Sequence, residues 1–93
     1  MPLQVELVSA DSRVWSGEAR EVIARTTEGD MGVLTGHAPV LAVLAPGEVR
    51  IMALEGGEVV AQVEDGFLSV EHDRVTLVSD SASLTSGSGA AAG

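Results

Sequence analysis

The sequence predicts an all-β fold: an antiparallel β-sandwich of about ten short strands. Three observations lead there. Short runs of β-branched and aliphatic residues alternate with polar ones, Gly, Pro and Asp cut these runs at hairpin spacing, and no stretch carries a helical repeat. Two facing sheets account for the number of strands with a single apolar face.

Leu3, Val5 and Leu7 alternate with Gln4 and Glu6, the pattern of a half-buried strand. Ser9-Ala10-Asp11-Ser12 is a turn, Arg13–Ser16 restarts the strand, and Gly17 is placed for a bend or bulge. Glu21–Thr26 forms a third run, and Glu28-Gly29-Asp30 breaks it. Met31–Leu34 is a short strand. Gly36-His37-Ala38-Pro39 is a loop, since Pro cannot donate to a central ladder. Val40–Leu44 is apolar on both faces and ends at the turn residues Pro46-Gly47. Val49, Ile51 and Ala53 face Val59, Ala61 and Val63 across a Gly56-Gly57 hairpin turn. After Asp65-Gly66, Phe67–Val70 and Val75–Val78 form the last pair, joined through His72-Asp73. The pattern then stops. The sequence places a sandwich domain at residues 1–82 and a flexible tail with little to bury at 83–93.

A 93-residue chain buries only about 60–65% of the surface its unfolded form exposes, so partners are expected to add to its stability. There is no cysteine, which excludes a disulfide framework and a thiolate zinc site. Met1 is followed by Pro2, Gln4 and Glu6 rather than a basic and then apolar run, so no signal peptide is expected. No apolar stretch approaches the roughly 20 residues that span a bilayer, so direct bilayer insertion is not expected. Fourteen acidic residues stand against five arginines and no lysine, for a net charge of −9. Such a chain repels phosphate backbones and anionic lipid, and a basic protein surface is the better partner.

Catalytic chemistry finds little to work with. A phosphate-cradling P-loop needs a lysine, and Gly87-Ser88-Gly89 neither follows a predicted strand nor precedes a helix. His37 and His72 are the only histidines, and no carboxylates stand at metal-ligand spacing around them. Glu28 and Asp30 flank Gly29, but the single Trp and single Phe are too few to line a glycan cleft. An acidic contact with a basic partner suits that pair better, or else a plain solvated turn. Ser9, Ser12 and Ser16 have no histidine at a sensible separation. Trp15 reads as a core or edge anchor, or as an exposed interface anchor. No catalytic residue, metal ligand or cofactor is expected.

Thr27-Glu28-Gly29-Asp30-Met31-Gly32-Val33-Leu34-Thr35-Gly36-His37-Ala38-Pro39-Val40-Leu41 closely resembles the signature of the epsilon subunits of bacterial F-type ATP synthases. Val8-Ser9-Ala10 with Trp15-Ser16-Gly17-Glu18 resembles the family's first hairpin. Gly66–Val70 followed by Arg74–Ala82 resembles its closing strands. The likeness covers residues 1–82 nearly end to end. It implies a ten-stranded β-sandwich at the foot of the central stalk, in a hetero-oligomer with the gamma subunit and the membrane c-ring. On this resemblance the chain couples proton-driven rotation to ATP synthesis without an active site of its own, as a peripheral subunit on the cytoplasmic face of the bacterial plasma membrane. The interface candidates it implies are Glu28, Asp30, Met31, Gly36, His37, Ala38 and Pro39, with Ser9 from the first hairpin. The alternative is a free-standing β-sandwich protein-binding module.

The sequence departs from the family in two places. Thr35 stands where the family usually has proline, and no amphipathic run follows Ala82 where the family has a C-terminal helical hairpin. In many relatives that hairpin binds ATP or restrains hydrolysis. Calorimetry of this chain with ATP is therefore expected to show no stoichiometric complex.

Overall fold

The computed structural model describes residues 2–55 and 57–87. Every regular element among them is a strand: β1 (Leu3–Ser9), β2 (Arg13–Thr26), β3 (Gly29–Leu34), β4 (Val40–Ala53), β5 (Glu58–Val63), β6 (Gly66–Glu71), β7 (Arg74–Ser79) and β8 (Ala82–Gly87). Local alternation is clear within the shorter strands and the second half of β4. Leu3, Val5 and Leu7 of β1 are fully buried while Gln4 is exposed. Val49, Ile51 and Ala53 of β4 are buried against Glu48 and Arg50 on the outside.

Two strands are longer than the sequence indicates. Gly17 predicts a bend between two separate runs and Pro46-Gly47 an end, yet β2 and β4 each run on for 14 residues. Gly17 pairs with Val5, and Gly47 pairs with Val63. The physical reason is that both strands serve two layers. β2 pairs with β1 through Arg13–Ala19, then with β3 and β4 through Glu21–Thr26, with a register irregularity around Arg20. β4 pairs with β6 through Val40–Leu44 and with β5 from Gly47 onward. Pro46, which has no N–H to donate, falls at that hand-over, where no ladder bond is lost.

One layer is therefore the first half of β2, then β1, β7, β6 and the first half of β4; the other is β3, the second halves of β2 and β4, β5 and β8. Eight strands thus fill ten sheet positions, which reconciles the expected strand number with the observed one. The long strands pair with each other from Ala19↔Ala53 to Thr26↔Leu44, tying the layers together at two corners. β1 and β7 pair in parallel, and the other ladders are antiparallel. Leu3, Leu7, Leu68 and Leu77 from one layer meet Val22, Val49, Ile51 and Val63 from the other in a single core. Trp15 packs half-buried at its margin, with its ring where a Cβ on Gly17 would otherwise stand. The indole is an edge anchor, one of the two roles its sequence context allowed.

The sandwich also reaches past the boundary expected after Ala82. Residues 83–87, assigned by sequence to the tail, belong to β8, which pairs antiparallel with β5, and Ala82 and Leu84 pack on the core. An edge strand with two modest apolar side chains gives a weak sequence signal, because its partner supplies the order. The remainder of the expected tail, 88–93, and Gly56 of the expected hairpin turn lie outside the described residues.

Where β5 meets β6 the chain is closely fitted. A Cβ on Gly66 would overlap the Val78 carbonyl oxygen. The buried Ser79 hydroxyl donates to the Ser81 carbonyl at 2.8 Å and accepts from the Glu64 N–H at 3.2 Å. Gly66→Ala is expected to cost about 2–3 kcal/mol and to lower Tm by roughly 10–20 °C, measurable by circular dichroism. Wild-type stability in this variant would show that the β6–β7 ladder can shift to make room.

Candidate functional site

The core consumes the inward side chains, and one outer face keeps apolar residues of its own. On the β1–β7–β6–β4 layer, Val43 pairs with Phe67, Phe67 with Val78, and Val78 with Val8. These side chains form a ladder across four strands. Leu41 lies two residues before Val43 on the same face. Leu41 is 70% exposed, Phe67 54%, Val43 48% and Val78 43%. Four neighbouring large apolar groups left this open make a patch rather than scattered surface residues. The sequence signal was partly present in Val40–Leu44, apolar on both faces. The alignment of that run with Phe67 and Val78 depends on register, which no local pattern carries.

The patch runs into a groove of about 260 Å³ along β4, lined by Thr26, Thr27, Glu28, Met31 and Val40–Val43. Its far wall is the β2–β3 hairpin, which turns at Thr27-Glu28 with Gly29 at φ 119°. Thr26 fastens this turn. Its hydroxyl donates to the Gly29 carbonyl at 2.7 Å and accepts from the Glu28 N–H at 3.1 Å. Thr27 N–H donates to the Val43 carbonyl at 3.0 Å, tying the turn to the edge of β4. Glu28 and Met31 are thus held at the rim of an apolar groove.

Asp30 is placed differently from Glu28, although the sequence reads the two as one acidic turn. It lies on β3 opposite Arg25, and its carboxylate accepts from the guanidinium Nε at 3.3 Å. That pair borders a second depression of about 500 Å³ on the outer face of the other layer, with Glu48, Arg50 and Gln62. There Arg50 is shared between Glu48 and Glu58. These exposed pairs largely cancel each other's charge and add little stability.

The Gly36–Pro39 loop is a loop as expected, and it is tied at three points. His37 N–H donates to the Leu34 carbonyl at 3.0 Å, and Gly36, at φ 88°, donates its N–H to the Asp73 carboxylate at 2.7 Å. The His37 ring lies 2.7 Å from the Ala38 carbonyl through Nδ1. A carbonyl only accepts, so the proton sits on Nδ1 and Nε2 is left to meet a partner. Ala38 and Pro39 are exposed, and the chain passes directly from them into the groove-lining Val40. Glu28 and Met31 thus line the groove, with the Glu28 turn at its Val43 end, and the loop leads into it at Val40. Ser9 does not join them. It closes the turn that follows β1, at the end of the strand away from the Gly36–Asp73 contact, its hydroxyl donating to the Ser12 carbonyl at 3.2 Å. It lies about 20 Å along the strand from Leu3.

Among the described residues, no three His, Cys, Asp or Glu side chains gather as metal ligands. The His37 ring is engaged with its own loop, and the buried Ser79 hydroxyl with backbone. What the arrangement offers is surface: an apolar face, a groove beside it, and an acidic rim.

Comparison with known proteins gives this surface a context. Residues 2–85 match the family described as ATP synthase, delta/epsilon chain, beta-sandwich domain. The chain is 48% identical over 85 residues to the ATP synthase epsilon chain of Frankia casuarinae, covering 91% of this chain and all of that relative. It is 54% identical over 82 residues to the epsilon chain of Streptomyces griseus, covering 88% of this chain and 66% of that one. A chain of the Euglena gracilis mitochondrial ATP synthase, solved by cryo-EM with its c-ring, superposes with a TM-score of 0.83 at 26% identity, over 89% of this chain and 53% of that chain. A chain of the Tetrahymena thermophila mitochondrial ATP synthase central stalk and c-ring shares the fold, with a TM-score of 0.70 at 16% identity over 88% of this chain and 66% of that one.

The Thr26 hydroxyl is the pin of the Glu28 turn and is nearly buried, at 8% exposure. Thr26→Val keeps the shape and removes both bonds, so it is expected to cost about 1–3 kcal/mol in denaturant unfolding. It is also expected to speed amide exchange at Glu28 ahead of the core strands.

Proposed function

The chain belongs to the delta/epsilon chain family of ATP synthase, and on that premise we propose that it is a rotor adaptor, bound to the gamma subunit and the c-ring at the foot of the central stalk. In this role it transmits proton-driven rotation and carries no active site itself. It works at the cytoplasmic face of the bacterial plasma membrane, attached through protein contacts alone.

The observation that carries this reading is the exposed Leu41–Val43–Phe67–Val78 patch. An acidic chain that leaves these side chains open gains free energy when a partner covers them, up to about 1.5–3 kcal/mol for each large side chain fully removed from water. Gamma is the partner assigned to this apolar face. The c-ring is assigned to the groove's borders, where Glu28, Gly36, Ala38 and Pro39 are exposed and Met31 is half-buried against the core. The negative rim suits a partner loop with basic side chains, where complementary charge steers docking and fixes register. The two-layer body suits the mechanical task. Torque applied to one layer passes to the other through the hydrogen-bonded corners of β2 and β4, without sliding elements.

Capture from membranes with the tagged chain tests the assignment. Recovery of gamma and c subunits is expected, and recovery of neither would favour a free-standing binding module. The paired substitution Leu41→Asp with Phe67→Asp is expected to cut gamma capture at least about tenfold while leaving the circular dichroism spectrum unchanged. Charge reversal of Glu28 and Asp30 together is expected to weaken proton-driven synthesis in reconstituted vesicles without unfolding the domain. Glu28→Arg should carry most of the effect, because Asp30 is engaged by Arg25. Undiminished synthesis in the double reversal would remove both residues from the interface.

A further inference from the structure

We propose that the Asp73 carboxylate is a latch that sets the conformation of the Gly36–Pro39 loop, making Asp73 a positioning residue for a surface 37 residues away in sequence. Its role at an interface rests on the reading above; the latch itself does not.

Two independent observations carry it. The first is geometric. The Gly36 N–H donates to Asp73 Oδ1 at 2.7 Å, a short bond to a charged acceptor. The acceptor is itself held in place, because the Asp73 carbonyl takes the Gln4 N–H at 2.8 Å and so ties the hairpin tip to β1. The loop is thus referred to a fixed point on the sandwich.

The second is conformational. The β6–β7 hairpin turns on two residues, His72 at φ 51° and Asp73 at φ 61°. A turn with two positive φ values favours Asn-Gly, and glycine would adopt the second position without strain. The chain carries an aspartate there instead. Aspartate adopts this conformation less freely than glycine does, and the contact its side chain makes is with the loop. Local strain at Asp73 is therefore exchanged for order at Gly36.

This exchange makes an unusual forecast: the variant that relaxes the hairpin should loosen the loop. The full chain is prepared as wild type, Asp73→Gly, Asp73→Ala and Asp73→Asn, and three quantities are measured: Tm, NMR amide exchange at Gly36, and recovery of the synthase complex. Asp73→Gly is expected to hold or raise Tm while Gly36 exchanges about tenfold faster or more, with lower recovery of the complex. Asp73→Ala should exchange as fast, at a lower Tm than Asp73→Gly. Asp73→Asn retains an acceptor oxygen and tolerates positive φ, so it should stay within roughly threefold of wild type. Equal Gly36 exchange in all four proteins would overturn the latch, whatever the assembly result. Exchange as fast in Asp73→Asn as in Asp73→Gly would overturn it too. Faster exchange in Asp73→Gly with undiminished recovery of the complex would instead overturn the loop's place at the interface.

Discussion

The structure depends on one constraint: β2 and β4 each belong to both layers, and they hydrogen-bond to each other where they cross from one layer to the next. In a sandwich held only by its core, the layers are free to slide by small side-chain rearrangements. Here such sliding breaks backbone hydrogen bonds at Ala19↔Ala53 and Thr26↔Leu44. The features at these corners follow from the constraint. The irregularity around Arg20 lets β2 bend, and the hand-over around Pro46 lets β4 change partners at a residue with no N–H to lose. A small core then suffices, because the layers are also joined through the chain.

The same constraint creates the candidate surface. When β4 leaves the first layer its initial half remains as that layer's edge, and the β2–β3 hairpin folds against it through the Thr27–Val43 bond. The groove is the space left between them. Next to it the connection from β3 to β4 has to pass the end of the sandwich, which brings Gly36 to the β6–β7 hairpin. The proposed role as a rotor adaptor needs loops whose positions are set by a stiff body, and each of these loops is pinned by a hydrogen bond to an element of the other layer or to a neighbouring hairpin.

In the proposed role, apolar and acidic surfaces divide the work. The Val43–Phe67–Val78 ladder supplies area whose burial favours association without demanding a particular angle. The rim supplies charge and hydrogen-bonding groups, which favour one orientation. Most acidic residues elsewhere are exposed, and a net charge of −9 disfavours contact with anionic surfaces.

Much of this was legible along the chain. Period-2 alternation marks β1, the inner face of β4, β5, β6 and β7, because each of those strands has one buried side and a local pattern records it. The Gly36–Pro39 loop is legible because proline and glycine restrict the backbone locally, and its likeness to the epsilon signature located the candidate surface. Three things were not legible. The continuity of β2 and β4 was one: Gly17 reads as a bend between two runs and Pro46-Gly47 as an end, since a strand that bends between layers uses the residues that end one. β8 is paired through a partner twenty or so positions away, and its own composition is that of a tail. The separation of Glu28 from Asp30, the apolar ladder and the Asp73–Gly36 bond all depend on which strands lie side by side. The sequence by itself determined most of the strands, their buried faces and the family. Only the tertiary structure decided which outward residues share a surface, because register and crossing are set by contacts between segments far apart in the chain, and no short-range pattern encodes them.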